Sequence, residues 1–343
     1  MYNKIRYILF PFAVVYGIVV KIRNALYDIG AFKSQVFNIP VISVGNITVG
    51  GTGKTPHVEF LVRLLQNDYN LAVLSRGYKR KTKGFLEVKI KSVASETGDE
   101  PLQIKQKFPD ATVAVNGNRA EGIKLLQKHH PKLNLILLDD AFQHRQVTPK
   151  LSILLVDYNR PMKYDYYLPA GNLRDDRYQK KRANIIIVTK CPPDIKPINK
   201  RIVLNNLKPY PYQKVFFSTY RYQQLQPVFK GAAKPTIKQA GILLITGVAT
   251  SSALLTHVKQ LGNIKRHLQF ADHKKYSYSD VDAIQQAFEK IAGNKLIITT
   301  EKDAVKLREL KFKANAKSAL FYVPIEVEIL DNKENELTSE SLR

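Results

Sequence analysis

The sequence is poor in cysteine and has no tryptophan. The 343-residue chain contains one cysteine, Cys191. One cysteine cannot form an internal disulfide, and no Cys/His cluster has the spacing of a zinc site. These absences are typical of a protein that works in a reducing cytoplasm.

Acidic residues are scarce relative to basic ones. Lys and Arg total 54 and Asp and Glu total 29, which gives a formal net charge of +25. This excess predicts an anionic partner, either nucleic acid, acidic lipid or a phosphorylated substrate. Because no helix-turn-helix, RNA-binding or zinc-finger signature is present, we expect no nucleic-acid partner, and a basic nucleic-acid-binding NTPase remains an alternative.

A hydrophobic run long enough to span a membrane is also lacking. The uncharged N-terminal stretch, Tyr7 to Val20, is flanked by Lys4, Arg6, Lys21 and Arg23. A span needs about 20 apolar residues, and a secretory signal would be followed by a small-residue cleavage site. The pattern predicts a helix that lies in the membrane interface with its basic ends on lipid headgroups, and an ordinary buried helix is the alternative.

A glycine-rich loop carries the strongest signal. The segment 45–56, Gly-Asn-Ile-Thr-Val-Gly-Gly-Thr-Gly-Lys-Thr-Pro, follows the apolar run 39–44 and precedes the helical pattern 57–65. Strand, loop and helix in this order are the context of a phosphate-binding loop. Backbone N–H groups of Gly50, Gly51, Thr52 and Gly53 can surround phosphates, Lys54 can reach the β- and γ-phosphates, and Thr55 can ligate Mg²⁺. The strict motif needs glycine where Thr48 stands, so the loop is a variant.

The rest of the chain alternates short apolar strands with helices, which predicts an α/β fold with a doubly wound, mostly parallel sheet. A second α/β set begins near residue 241. We therefore predict an N-terminal membrane-associated helix (1–35), a core domain (36–207), a strand-like linker (208–237), a smaller C-terminal α/β domain (238–332) and a frayed polar tail (333–343). Within the second set, 320–329 reads as one strand.

Carboxylates occupy two positions suited to phosphoryl transfer. Asp139 and Asp140 follow the apolar run 133–138, where a strand end can bring them to Mg²⁺. Asp99 stands at a loop-to-helix junction, so it is either a helix cap or the base that accepts a hydroxyl proton. The polar pair Gln143 and His144 follows at the place where substrate or metal would bind.

Basic side chains lie where an α/β sheet binds ligands. Arg76 follows a predicted strand, Arg119 opens a helix, and Arg174 follows a Leu-Pro-Ala-Gly-Asn-Leu segment. His273 is a weaker candidate, since most single histidines are structural.

Taken in order, these motifs resemble those of the tetraacyldisaccharide 4'-kinases. The resemblance covers about residues 5–310 and rests on the loop 45–56, Ser-Arg-Gly-Tyr (75–78), Gly-Asp-Glu-Pro (98–101), Asn-Gly-Asn-Arg (116–119), Asp-Asp-Ala-Phe-Gln-His (139–144) and Leu-Pro-Ala-Gly-Asn-Leu-Arg (168–174). It implies a P-loop core, a smaller α/β domain and an active site in the cleft between them. It also implies phosphorylation of the 4'-hydroxyl of an acylated glucosamine disaccharide 1-phosphate with ATP and Mg²⁺, in lipid A biosynthesis.

The resemblance also implies residue roles and a location. Lys54 and Thr55 would bind phosphates and Mg²⁺, Asp139 and Asp140 would hold the metal, and Asp99 would be the base, assisted by His273. The residues that would face the glycolipid are Arg76, Arg119, Gln143, His144 and Arg174. The enzyme would be a monomer on the cytoplasmic face of the bacterial inner membrane, peripheral or monotopic on an anionic surface.

Three positions depart from the family pattern: Ala141 replaces glycine, Asn172 replaces proline, and the segment 248–251 lacks a proline.

Regulatory P-loop GTPases and ATPases are the rival enzymes. The Thr189-Lys190-Cys191-Pro192 segment has proline where guanine recognition needs aspartate, and Val49 replaces the signature lysine of ParA-like ATPases. Both rivals are therefore disfavoured.

Overall fold

The computed structural model describes residues 2–231, 235–237, 240–248 and 251–342. The helices are α1 Tyr2–Asp28, α2 Lys54–Leu65, α3 Ala94–Thr97, α4 Asp99–Lys107, α5 Arg119–His129, α6 Pro197–Leu207, α7 Ser252–Leu261, α8 Tyr278–Glu289, α9 Glu301–Leu307, α10 Ala314–Ser318 and α11 Glu334–Leu342. The strands are β1 Val41–Gly45, β2 Leu71–Ser75, β3 Leu86–Glu87, β4 Thr112–Val115, β5 Leu135–Asp139, β6 Leu151–Asp157, β7 Ile185–Thr189, β8 Lys214–Tyr222, β9 Gln226–Pro227, β10 Gly241–Thr246, β11 Asn263–Gln269, β12 Lys295–Thr300, β13 Leu320–Val323 and β14 Ile325–Ile329.

The first half is built on a nine-stranded sheet in the order β14-β8-β7-β6-β1-β5-β2-β4-β3. The strands from β8 to β4 are parallel, and the edge strands β3 and β14 are antiparallel. Successive residues of β2 enter two separate cores: Val73 packs with Leu61 of α2, and Leu74 packs with Ile123 of α5. Helices therefore cover both faces, as the prediction of a doubly wound, mostly parallel sheet requires.

The second half has a five-stranded sheet in the order β11-β10-β12-β13-β9. Strands β11, β10, β12 and β13 are parallel, and β9 adds an antiparallel edge. Its core forms where Leu243 and Ile297 of the sheet pack against Ile284 and Phe288 of α8. The smaller α/β unit predicted from the sequence is therefore present.

The single strand predicted over 320–329 is in fact two strands in two sheets. β13 belongs to the five-stranded sheet, and β14 pairs with β8 in the nine-stranded sheet. Pro324 lies between them, and because proline has no N–H it cannot continue a ladder. The chain thus returns to the first half at residue 325.

The sequence prediction missed the polar strand β11 and the helix α11. β11 is an edge strand whose residues are mostly exposed or half-buried, so its polar sequence lacks the apolar pattern of a buried strand. The tail predicted to be frayed includes α11, in which Leu337 is fully buried in the core beside Val327 and Ile329. Leu337 thus packs this mostly polar helix against the sheet.

Helix α1 is long and has two different faces. The segment Ile8–Asp28 is long and apolar enough to cross a membrane by length and composition, which the uncharged run alone did not indicate. Its second half contacts the core: the Tyr16 hydroxyl donates to the Arg174 carbonyl (3.1 Å), and the Asn24 amide donates to Asp175 (2.8 Å). The opposite face exposes Ile8, Phe10, Phe12, Val14, Val15, Ile18, Val19 and Ile22.

The structure accounts for two of the three departures from the family pattern. Ala141 is buried with a negative φ, so its position does not require glycine. Asn172 donates from its backbone N–H to Asp165 Oδ1 (3.0 Å) and from its side-chain amide to Oδ2 (3.1 Å). A proline could make neither bond. The third departure, 248–251, includes residues 249–250, which lie outside the described residues.

Candidate active site

The phosphate loop joins β1 to α2 at the carboxyl edge of the nine-stranded sheet. Gly50 and Gly53 have φ values of +93° and +88°, in the left-handed region that favours glycine. The Asn46 amide donates to the Thr52 hydroxyl (2.6 Å), which fixes the loop from within. Thr48 forms an antiparallel bridge with Leu173, so the position where the strict motif has glycine is extended backbone here.

Asp139, the last residue of β5, is buried beside this loop. The Ser75 hydroxyl at the end of β2 donates to Asp139 Oδ2 (2.8 Å). Oδ1 is buried and has no hydrogen-bond partner among the described residues. Burial, reinforced by Glu100 and Asp140, raises the pKa of Asp139. A carboxylate held in this way favours a cation at its open oxygen.

Asp140 has the opposite electrostatic environment. Burial alone would raise its pKa, but the positive charges of Arg174 and Lys54 outweigh burial and hold the pKa at about 2. Lys54 Nζ lies 3.8 Å from Asp140 Oδ1, and Arg174 donates to both carboxylate oxygens. Asp140 itself has a left-handed φ of +49°. The structure thus brings Lys54, Asp140 and Arg174 into one cluster.

Asp99 begins α4 and faces the second half of the chain. Its Oδ2 accepts a hydrogen bond from His273 Nδ1 (3.1 Å), and Lys302 Nζ lies 3.1 Å from His273 Nε2. Because an ammonium group can only donate, Nε2 is the acceptor and Nδ1 carries the proton. Burial would raise the pKa of Asp99, but His273, Lys302 and Lys306 lower it to about 2. Asp99 is therefore an ionised carboxylate with an oriented histidine.

Helices α4 and α9 contact each other through polar and charged groups at this place. Lys302 pairs with Glu100 (3.1 Å), Lys107 pairs with Glu301 (3.0 Å), and Arg308 donates to Gln106 (2.6 Å). The contact joins the nine-stranded half to the five-stranded half beside Asp99.

The five predicted glycolipid residues occupy different environments. Arg76 is exposed, whereas Arg119 is fully buried and donates to the carbonyls of Asn116 (2.6 Å) and Asp139 (3.2 Å). Gln143 donates to the Asn46 carbonyl (2.7 Å). The remaining two are Arg174, which also contacts Asn46, and His144, whose Nε2 lies 3.0 Å from the Gly117 carbonyl. Arg119 and Gln143 thus contact backbone beside the phosphate loop and the carboxylates.

Several residues of this region were missed by the sequence analysis. Ser75, Lys302 and Lys306 contact the carboxylates, and Lys302 and Lys306 come from α9, directly after β12. The same rule that singled out Arg76, a polar residue after a buried strand, would have found Lys302.

His57 is a further residue that the sequence did not single out. It lies in α2, with Nδ1 2.7 Å from the Gly53 carbonyl and Nε2 2.9 Å from the Ser218 hydroxyl. The carbonyl can only accept, so Nδ1 carries the proton. Burial lowers the pKa of His57 to about 4. The neutral ring joins the end of the phosphate loop to β8.

We expect His57 to make folding sensitive to acid. In the unfolded chain the ring binds a proton near pH 6.5, whereas the folded state resists protonation until about pH 4. Stability should therefore fall as the pH drops through this window, by roughly 1 kcal/mol between pH 7.5 and 5.5. Urea unfolding of the wild type and His57→Gln at both pH values measures the effect. An equal loss of stability in the two proteins would contradict it.

Comparisons with known proteins point to one family. The family profile for tetraacyldisaccharide-1-P 4'-kinase matches residues 5–342. The chain is 45% identical to a tetraacyldisaccharide 4'-kinase of Bacteroides thetaiotaomicron over 97% of this chain and 91% of the relative, and 42% identical to one of Flavobacterium johnsoniae over 97% and 95%. A crystal structure of LpxK from Aquifex aeolicus in complex with ATP superposes with a TM-score of 0.76 at 28% identity and covers 98% of both chains. The sequence and the fold thus agree, and the chain belongs to the tetraacyldisaccharide 4'-kinase family.

Proposed function

We propose that this protein transfers the γ-phosphoryl group of ATP to the 4'-hydroxyl of a tetraacylated glucosamine disaccharide 1-phosphate. Family membership over residues 5–342 supports the kinase reaction and the class of acceptor. The observation that carries the residue assignments is the carboxyl edge of three neighbouring strands. There the phosphate loop follows β1, Asp139 ends β5, and Ser75 ends β2.

ATP and Mg²⁺ fit the side chains at this edge. The buried Asp139 Oδ1 has no partner among the residues that the structure describes, and Thr55 stands at the first turn of α2. Mg²⁺ is commonly held by one or two carboxylates together with water and substrate phosphates, so Asp139, Asp140 and Thr55 would suffice. That is consistent with the lack of any cluster of three or more His, Cys, Asp or Glu suited to a metal in the described part of the chain. A bound Mg²⁺ would neutralise charge on the transferring phosphoryl group.

Each of these residues then has its own role in the reaction. Lys54 and the N–H groups of Gly50, Gly51, Thr52 and Gly53 bind the phosphates. Asp99 accepts the proton of the 4'-hydroxyl while that oxygen forms its bond to the γ-phosphorus and the bond to the β-phosphate oxygen breaks, leaving ADP. His273 Nδ1–H holds the Asp99 carboxylate in place.

We also propose a substrate side to this site. Arg76, exposed at the end of β2, is positioned to contact the anionic glycolipid. Arg174 would add a second positive charge, and His144 would add a neutral hydrogen-bonding ring, because burial lowers its pKa to about 4. Arg119 and Gln143 support this side of the site by holding the backbone at Asp139 and Asn46. The two sheets would act as two domains with the active site in the cleft between them.

The direct test is transfer of label from γ-labelled ATP to the disaccharide 1-phosphate in detergent with Mg²⁺. We expect label in the lipid from the wild type and none above background from Lys54→Ala. Hydrolysis of ATP without lipid labelling would overturn the proposed acceptor.

We further propose that α1 holds the enzyme on the cytoplasmic face of the inner membrane. The core contacts of Tyr16 and Asn24 keep its second half on the protein, while Phe12 and Val19 are 64% and 58% exposed on the other face. Such a helix lies along a surface with its apolar face in the acyl region. Basic residues around it would favour anionic headgroups.

Two charges on the exposed face should release the enzyme from lipid. We expect Phe12→Glu/Val19→Glu to weaken binding to anionic phospholipid vesicles at least about tenfold, because burial of a large apolar side chain contributes about 1.5–3 kcal/mol. ATP affinity should stay close to that of the wild type. Vesicle sedimentation and nucleotide titration measure the two effects, and Ile198→Glu/Ile202→Glu, which places two charges on exposed apolar positions of α6, is the matched control that leaves α1 intact. Undiminished vesicle binding by the double variant would contradict the proposal.

A further inference from the structure

The segment that follows β7 lies directly against the phosphate loop. The Thr189 hydroxyl donates to the Thr52 carbonyl (2.9 Å), and Lys190 Nζ donates to the Gly51 carbonyl. Two consecutive residues therefore hold two consecutive carbonyls of the loop. This is the Thr-Lys-Cys-Pro segment whose proline disfavours guanine recognition, and the proposed reaction assigns it no role.

A carboxylate at the end of β6 orients the lysine. Lys190 Nζ also pairs with Asp157 Oδ2 (2.8 Å), and Asp157 is 5% exposed. Arg160 pairs with the same oxygen (3.2 Å), and its guanidinium lies over Gly50, 2.8 Å from the place where a Cβ would stand. Three successive loop residues, 50–52, are thus contacted from the ends of β6 and β7.

The backbone at Lys190 shows that this contact is built into the fold. Lys190 has a left-handed φ of +59°, a strained conformation for a residue with a side chain. Hydrogen bonds on both sides hold it there: Tyr158 N donates to the Thr189 carbonyl (3.0 Å), and Cys191 N donates to the Ser218 carbonyl (2.9 Å). The strained turn aims the lysine side chain at the loop.

We propose that Lys190, oriented by Asp157 and assisted by Thr189, is a positioning residue that clamps the phosphate loop in its phosphate-binding conformation. Glycines give the loop freedom that must be lost when phosphate binds. The hydrogen bonds to the carbonyls of Gly51 and Thr52 remove part of that freedom before phosphate binds. They leave the N–H groups of the loop available for phosphate oxygens. This inference deepens the proposed function and rests on it, since it assigns phosphate binding to the same loop.

The hydrogen bonds from Lys190 and Thr189 do not involve the nucleotide base, so the test compares ATP with a phosphate chain that has no base. Lys190→Met keeps the apolar stem and removes the ammonium group. We expect it to weaken Mg²⁺-ATP and inorganic tripolyphosphate by the same factor, at least about tenfold, because a hydrogen bond to a charged group is worth about 1.5–3 kcal/mol. Lys190→Arg should retain most of the affinity. Lys200→Met, which breaks an ion pair with Asp331 away from the loop, is the matched control and should bind both probes as the wild type does.

Calorimetric titration with each probe, without lipid acceptor, separates the possible results. A loss for ATP with unchanged tripolyphosphate binding would make Lys190 a base contact and overturn the clamp, as would unchanged binding of both. If Lys190→Met lowers the thermal transition too far for titration, Thr189→Val provides the same test through the Thr52 carbonyl, with Thr189→Ser as its control. A wrong lipid acceptor would abolish labelling of the disaccharide but leave these titrations unchanged, so the two failures can be distinguished.

Discussion

Asp99→Asn is expected to lower kcat by about 10²- to 10⁴-fold while the protein remains folded. The amide keeps the shape of the side chain but cannot take the proton of an attacking hydroxyl. A positioned general base contributes a rate enhancement of this size. The pKa of about 2 means that the carboxylate is ionised throughout an assay from pH 5 to 9. The factor by which Asp99→Asn lowers kcat should therefore be constant over that range. Steady-state lipid phosphorylation and circular dichroism measure activity and folding together.

The control for this prediction is His273→Ala. It removes the Nδ1–H donor but leaves the carboxylate, so its effect on kcat should be smaller than that of Asp99→Asn. Activity of Asp99→Asn within a few-fold of the wild type would exclude Asp99 as the base. A loss that shrinks toward pH 5 would show that the carboxylate titrates within the assay range.

Asp139→Asn is expected to lower kcat by about 10²- to 10³-fold and to raise the Mg²⁺ concentration needed for half-maximal rate. The substitution removes the negative charge of a buried side chain whose Oδ1 has no partner among the described residues, and it keeps an oxygen that can accept the Ser75 hydrogen bond. Charge stabilisation by a fixed group of this kind is commonly worth that factor. Titration of the rate with Mg²⁺ at saturating ATP measures both effects.

Ser75→Ala is the matched control for Asp139→Asn. It removes the hydrogen bond to Oδ2 (2.8 Å) and keeps the charge. We expect a much smaller change in the Mg²⁺ requirement from this variant. An Asp139→Asn enzyme with the wild-type requirement would exclude Asp139 as a metal ligand.

The sequence predicted those features that depend on neighbours along the chain. The phosphate loop is recognisable because strand, glycines and helix are contiguous, and Asp139 stands out because an apolar strand ends at it. The apolar runs 39–44 and 133–138 coincide with β1 and β5 to within two residues. Buried parallel strands give this clear signal because both of their faces are apolar.

The remaining features depend on residues that are distant in sequence. His273 and Asp99 are separated by 174 positions, and Lys190 and Gly51 by 139. No local pattern could indicate that the Thr-Lys-Cys-Pro segment contacts the loop rather than a base. The division of 320–329 between two sheets likewise needs the positions of β8 and β12, although Pro324 was visible in the sequence.

The contact between α4 and α9 has a consequence for how firmly the two halves are joined. Lys302 pairs with Glu100 and Lys107 with Glu301, and these four side chains are between 12% and 23% exposed. Beside them, Val305 of α9 is buried in the same core as Leu102 of α4. Separating the helices would return the apolar surface of Val305 to water, which the hydrophobic effect opposes, and dissolved salt screens partly buried ion pairs less than exposed ones. We therefore expect added salt to leave this junction largely intact.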